Sequence, residues 1–150
     1  MKMTTRGLYA LEAILTLAEV SEHQKPVSLQ KIAEIEGLSQ EFLQQIFYRL
    51  RKAGIINAAR GPGGGFSLNR TPDDISAYEV LSAVGETLEI VPCVCQKSSK
   101  RPCKKFASCD AGSFWVGMQE RIIDYAKSKR LSEMRREDGQ PLLSIVTSSR

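Results

Sequence analysis

The stretch SLQKIAEIEGLSQEFLQQIFYRLRKAG at residues 28–54, followed by RGPGGGF at 60–66, decides how this chain folds. Ser28 can cap a helix over Leu29 to Glu36, and Gly37 breaks it. Ser39 can cap the next helix, Gln40 to Ala53, which Gly54 ends as a C-terminal glycine. Ala33 and Gly37 lie four residues apart, as in two helices joined by a tight turn. A small side chain at Ala33 lets the helices approach, and Gly37 supplies a turn conformation that other residues adopt only with strain. Leu43 sits where the second of these helices packs inward. Ile55 and Ile56 suit a short strand, and Phe66-Ser67-Leu68 suits its partner. The Gly-rich run between them reads as a hairpin loop. The ordered set is a helix-turn-helix followed by a wing.

On the N-terminal side, Leu8, Leu11, Leu15 and Ala18 recur at helical spacing, with Thr4 or Thr5 as N-cap. Glu22 to Pro26 is a polar loop. Beyond the wing, Asp73 or Asp74 can cap a fourth helix over Ile75 to Gly85. Residues 93–109 carry Cys, Lys, Ser and Pro without a hydrophobic period and read as an irregular loop. A long helix follows, from about Ala111 to Leu131. Trp115, Met118, Ile122 and Tyr125 alternate along it at three and four, like a pairing seam. The expected fold class is mainly α with a small β-hairpin wing: a winged helix-turn-helix plus a long dimerisation helix. The expected division is 1–85 for the winged domain, 86–110 for the Cys-rich loop, 111–131 for the dimerisation helix and 132–150 for a C-terminal tail.

Composition bounds the rest. The chain has 150 residues, 42% hydrophobic and 25% charged, the mixture of one ordinary globular domain. No apolar run approaches the roughly 18 residues that would suggest a membrane span. Lys2 and Arg6 precede an apolar stretch, but Glu12 interrupts it and no small-x-small site follows. It reads as a helix of the mature protein rather than a signal peptide, with a cytoplasmic location expected. Four Cys are too few for a disulfide scaffold.

Charge is uneven. Residues 1–92 hold nine basic and eleven acidic residues, whereas 93–150 hold twelve and six. Between Arg49 and Pro72 there are five cations (Arg49, Arg51, Lys52, Arg60, Arg70) and no acid. Such a strip is either a solvated face or a phosphate-contacting one, because DNA affinity rests largely on phosphate contacts. Gln40, Glu41, Gln44 and Gln45 lie toward the end of the recognition helix that meets base edges. Gln can pair bidentately with adenine, and Glu can accept from cytosine N4. Arg60 at the wing could enter a narrow minor groove. Gly61, Gly63 and Gly64 would let the wing backbone approach phosphates. Double-stranded DNA is therefore the expected partner. The RGPGGG run lacks the Lys-Ser/Thr of a phosphate-binding loop and leads into a strand, which argues against nucleotide binding.

Cys93, Cys95, Cys103 and Cys109 fall within 17 residues. Their spacing is not the paired CxxC of a zinc ribbon. They could still supply three or four thiolates to an iron–sulfur cluster, to Zn, or to a reversible disulfide. Lys97, Lys100, Arg101, Lys104 and Lys105 would offset a cluster's negative charge. His23 sits in a polar loop, and no nucleophile–base pair points to an enzyme.

The opening MTTRGLYA at 3–10, LQQIFYRLRKAG at 43–54, RGPGGGF at 60–66 and the Cys loop together resemble the IscR-like family of bacterial winged-helix regulators. The resemblance covers roughly residues 1–130. It implies a homodimer joined by the long helix, DNA binding by residues 28–65 and an iron–sulfur cluster in the 93–109 loop. By position, Ser39, Gln40, Glu41, Gln44 and Gln45 match the base-reading end of the family's recognition helix, and Arg60 matches its minor-groove arginine. With Ser28, Arg49, Arg51, Gly61, Gly63 and Gly64 they make up the expected DNA-binding set. Cys95, Cys103 and Cys109 become the cluster ligands, with the wider first gap of the iron-regulator branch. The His that some members carry three residues after the last Cys is Gly112 here. Cys93, or Glu12 from the partner subunit, is then the candidate fourth ligand, and the choice between 2Fe–2S and 4Fe–4S stays open. The rival readings are a thiol-disulfide or zinc-dependent winged-helix regulator and a redox or iron–sulfur carrier protein.

Overall fold

The computed structural model describes residues 3–21, 25–91 and 103–134. Five helices and one hairpin make up the ordered frame: α1 (Thr5–Val20), α2 (Leu29–Glu36), α3 (Gln40–Lys52), β1 (Ile56–Ala59), β2 (Gly65–Leu68), α4 (Ala77–Ala83) and α5 (Gly112–Ser128). The mainly α winged helix-turn-helix expected from the sequence is present.

The caps explain the early boundaries. The Thr4 side chain accepts from the Gly7 N–H, Ser28 from Lys31 and Ser39 from Phe42. Each satisfies a donor that a helix start leaves without an intrahelical partner. Gly37 closes α2 in a left-handed conformation, φ 65°. At the end of α3, Gly54 donates to the Arg51 carbonyl and Ile55 to Leu50, at 2.9 and 3.0 Å. This Schellman closure turns the chain directly into β1, so Ile55 belongs to the helix end and the strand starts at Ile56.

A main core holds the winged elements together, and a smaller cluster of Leu81, Leu88 and Ala126 packs α5 against the end of α4 and the segment after it. Ala10, Ala13, Ile14 and Leu17 of α1, Ile32 of α2, and Leu43, Ile46, Phe47 and Leu50 of α3 are buried with Ile55, Ile56, Ile75, Val80 and Leu131. The apolar stripe on α1 is thus rotated from the one read at Leu8, Leu11, Leu15 and Ala18. Leu8 is 55% exposed, and small Ala10 and Ala13 face inward instead. Small residues there let α1 lie close against its neighbours, a choice that counting large apolar residues does not reveal.

β1 pairs antiparallel with β2, from Ile56 opposite Leu68 to Ala59 opposite Gly65. A β-bridge that the sequence does not signal joins the hairpin to the start of α2. Val27 exchanges both backbone hydrogen bonds with Phe66, each 2.8 Å, and ties the wing to the residue before the Ser28 cap. One isolated apolar residue between Pro26 and a cap gives no strand signal.

The fourth helix is shorter than expected. Pro72–Asp74 forms a 3₁₀ turn, Ile75 is extended, and Ser76 caps α4 in place of Asp73 or Asp74. Ile75 is extended because it pairs with the chain beyond α5: Leu131 N–H donates to its carbonyl at 3.0 Å, and Ala77 N–H donates to Lys129 at 2.9 Å. The same pairing ends α5 at Ser128 rather than Leu131. Leu131, fully buried, then locks this end of α5 into the winged domain.

Candidate nucleic-acid interface

α3 is divided by its own periodicity. Leu43, Ile46, Phe47 and Leu50 are buried, which leaves Gln40, Glu41, Gln44, Gln45, Tyr48, Arg49, Arg51 and Lys52 outside. Glu41, Gln44, Gln45, Tyr48, Arg49 and Lys52 line a concave groove of about 860 Å³, with Ala53 and Ala83 as one wall. All the recognition-helix side chains singled out in the sequence are therefore on the solvent side. Ser28 and Ser39 are exposed as well, their hydroxyls engaged as caps. Tyr48, 65% exposed, was not singled out. The signal was available, since Tyr48 lies one turn after Gln44 on the same face.

The basic strip splits in two. Arg70 donates to Glu79 at 2.8 Å and to the Asp74 carbonyl at 2.9 Å, and so it serves the fold. Burial pushes the Glu79 carboxyl up, but the Ser76 N–H, the Arg70 guanidinium and the Ser76 hydroxyl outweigh it. Glu79 is held below its ordinary value. Arg49, Arg51, Lys52 and Arg60 are exposed and form no ion pair within 4 Å among the described residues. Three of them also occupy the last turn of α3, where cations suit the negative end of the helix dipole.

The wing is shaped mainly by the protein's own backbone. Gly61 and Gly63 take left-handed φ of 94° and 75°, with open space around them. Gly64 and Gly65 are pressed against the chain instead. A Cβ on Gly65 would stand 2.2 Å from the Val27 carbonyl oxygen, and one on Gly64 2.4 Å from that of Ala59. Gly64 therefore serves the turn, and Arg60, Gly61 and Gly63 form the tip that faces outward.

The Cys loop lies only partly within the described residues; Cys93, Cys95 and His23 fall outside them. Cys103 and Cys109 are exposed thiols at the two ends of one tight turn. Phe106 N–H donates to the Cys103 carbonyl and Cys109 N–H to Phe106, around the 3₁₀ turn Phe106–Ser108. Gly112 N–H returns to the Cys109 carbonyl at 2.9 Å, so the second thiol sits at the foot of α5. Glu12 is exposed on α1, one turn after Leu8. Among the described residues no three His, Cys, Asp or Glu side chains of one chain converge as metal ligands. The donor chemistry of two exposed thiols on one turn fits an iron–sulfur cluster, zinc or a disulfide equally.

α5 carries the remaining feature. Gln119 and Ala126 face the winged domain, and the Gln119 side chain holds the Leu88 carbonyl and the Ile90 N–H. Phe114, Met118 and Tyr125 are 58%, 37% and 66% exposed, and Trp115 and Ile122 are half-buried. The seam read from the sequence is therefore an open apolar strip. No helix among the described residues is long and apolar enough to cross a membrane.

Comparison with known proteins agrees with this geometry. A family model described as Rrf2, iron-dependent transcriptional regulator, matches residues 3–137. The HTH-type transcriptional regulator IscR of Erwinia tasmaniensis is 36% identical over 134 residues, covering 89% of this chain and 78% of that protein. Among solved structures, T. potens IscR superposes with a TM-score of 0.69 at 30% identity, covering 93% of this chain and 94% of that one. CymR, the global cysteine regulator of B. subtilis, gives 0.70 at 26% identity, with 89% and 95% covered.

Proposed function

The chain belongs to the Rrf2 family of transcriptional regulators, and on that premise we propose that it works as a homodimer on operator DNA, with its state set at the Cys loop. It is a winged-helix DNA-binding regulator and not an enzyme. The observation that carries the interface is the outer face of α3. Its polar side chains stand exposed on a helix whose other face is packed into the core, beside cations that make no ion pair among the described residues. In this reading Gln40, Glu41, Gln44 and Gln45 read base edges in the major groove, and Arg49, Arg51 and Lys52 contact phosphates. Ser39, at the cap of α3, belongs to the base-reading end, Arg60 enters the adjacent minor groove, and Ser28, Gly61 and Gly63 lie beside the phosphates. Selection from random duplexes tests this: a dimer enriches an inverted repeat, and failure to enrich any sequence overturns sequence-specific binding.

The Cys loop is read as the sensor. Cys103 and Cys109, with Cys95 and either Cys93 or the partner's Glu12, would hold an iron–sulfur cluster. When bound, the cluster would tie the loop at the foot of α5 and make that tie responsive to iron, oxidant or nitric oxide. Sensing requires the two loop states to have different free energies in the two dimer geometries. Anaerobic protein should be brown with matched iron and sulfide, and Cys103→Ala should lose both. Full iron and sulfide in that variant would disprove the ligand. A second reading, a thiol or zinc switch, is favoured by the exposure of both thiols and by the likeness to a cysteine regulator. It predicts colourless protein whose operator affinity follows thiol oxidation or zinc content.

A further inference from the structure

We propose that Arg6 and Arg49 form a two-guanidinium clamp for a single phosphate at the rim of the recognition groove. The clamp rests on the DNA-binding reading and adds a contact from α1, which lies outside the helix-turn-helix and wing. Gly85 follows α4 in a left-handed turn, φ 83°. The position a Cβ would take on it lies 3.6 Å from Arg6 Nη2 and 3.7 Å from Arg49 Nη1. Two guanidiniums, one from the start of α1 and one from the last turn of α3, thus converge on the same point. Gly85 puts no side chain between them. Two guanidiniums that both reach within 3.7 Å of one position beside the Gly85 turn can donate to a tetrahedral anion lying outside it, and the planar Arg fork suits phosphate oxygens.

Among the described residues these charges have no ion-pair partner. Arg6 Nε is buried and has no hydrogen-bond partner there, a donor that would cost free energy if left unmet. The carboxylate adjacent in sequence, Glu86, is buried and committed elsewhere. It accepts from the Thr4 N–H at 3.2 Å and from the Thr4 hydroxyl. Two cations brought together without a carboxylate repel each other, so the geometry gains most when an anion arrives. Arg49 and Ala83 both line the groove on α3, so the clamp lies on its margin, where a backbone phosphate would pass.

The test is the salt dependence of binding to the selected operator and to an unrelated duplex, for wild type, Arg6→Gln, Arg49→Gln and the double variant. Each single change should weaken both duplexes alike. Because one phosphate is shared, the double variant should lose about one unit of the log–log salt slope per bound chain, not two. At 0.1 M salt that corresponds to roughly eightfold weaker binding. A double variant with the wild-type slope, or one losing two units, overturns the clamp. If Arg6→Gln unfolds in a thermal melt, Arg6→Lys replaces it, with the slope kept and affinity several-fold lower expected; unchanged affinity sinks the proposal. Inorganic phosphate, titrated at constant ionic strength against the Arg6 Nε–H resonance, separates the sources. Saturation by free phosphate below millimolar, with the DNA slope insensitive to both changes, would assign the site to a soluble phosphate and overturn the DNA contact. Wild type that binds no duplex fails the DNA-binding reading itself, whereas binding with an unaltered slope fails the clamp alone.

Discussion

Gly63 and Gly65 stand two residues apart in the wing and are constrained for different reasons. Gly63 needs only its left-handed φ of 75°, with nothing within 4 Å of an added Cβ. Gly63→Ala should therefore cost about 1 kcal/mol, the strain of that conformation. Gly65→Ala would drive a methyl into the Val27 carbonyl at 2.2 Å and break the Val27–Phe66 pairing. It should cost upward of about 2 kcal/mol, as overpacking against backbone does. Thermal unfolding of the two variants checks the order, and equal losses would refute the distinction. Arg60 and Arg70 form a second contrasting pair. Arg60→Ala should leave the melting temperature alone and weaken operator binding by roughly 1–3 kcal/mol. Arg70→Ala should leave operator binding alone and lower stability by under about 1 kcal/mol, because its ion pair with Glu79 is more than a third exposed. The sequence placed both in one acid-free strip. What separates them is Glu79, which lies beyond the strip and reaches Arg70 only once the 3₁₀ turn Pro72–Asp74 has folded the chain back.

At the scale of elements, local chemistry was legible and long-range pairing was not. Ser28, Gly37, Ser39 and Gly54 each fix a boundary through bonds within a few residues, so α2 and α3 could be read directly. The start of α4 could not, because Ile75 is drawn into an extended conformation by Leu131, 56 positions away in sequence. The Val27 bridge and the rotated core face of α1 were hidden for the same reason. The α4 start also makes stability depend on pH. The Glu79 carboxyl closes a capping box with Ser76 and sits below its ordinary pKa of 4.5. A folded-state pKa below the unfolded one means that its contribution is fully present above the unfolded value. It is lost as pH falls through the folded one. The stability difference between wild type and Glu79→Gln should be constant from about pH 6 to 8 and shrink below about pH 4.5. Denaturant titrations at a series of pH values measure it, and a difference that widens on acidification would contradict the assignment.

For the whole molecule, the question is how a winged domain with one groove reads an operator. α5 is tied to its own domain at both levels of its inner face: Gln119 grips the 88–90 segment, and the strand-like contact at Ile75 anchors its end. Its outer face is then presented to solvent, with Trp115, Met118, Ile122 and Tyr125 at intervals of three and four along it and exposed Phe114 beside them. An apolar strip of that spacing on a charged surface is what two such helices bury against each other. The seam was legible in the sequence because its period is local. Its exposure was not, since that depends on which α5 face the winged domain covers. The same ties would let a change at Cys109, at the foot of α5, alter the separation of two recognition helices in the proposed dimer. Met118→Glu places a charge in the middle of the strip without touching the winged core. Sedimentation at micromolar concentration should show a monomer, and the winged domain should melt as in wild type. The operator affinity of this variant should fall by far more than its affinity for non-specific duplex, because one half-site would then have to be bound without the other. A variant that stays dimeric and binds as wild type would move the subunit contact off α5, and with it the route from the Cys loop to DNA.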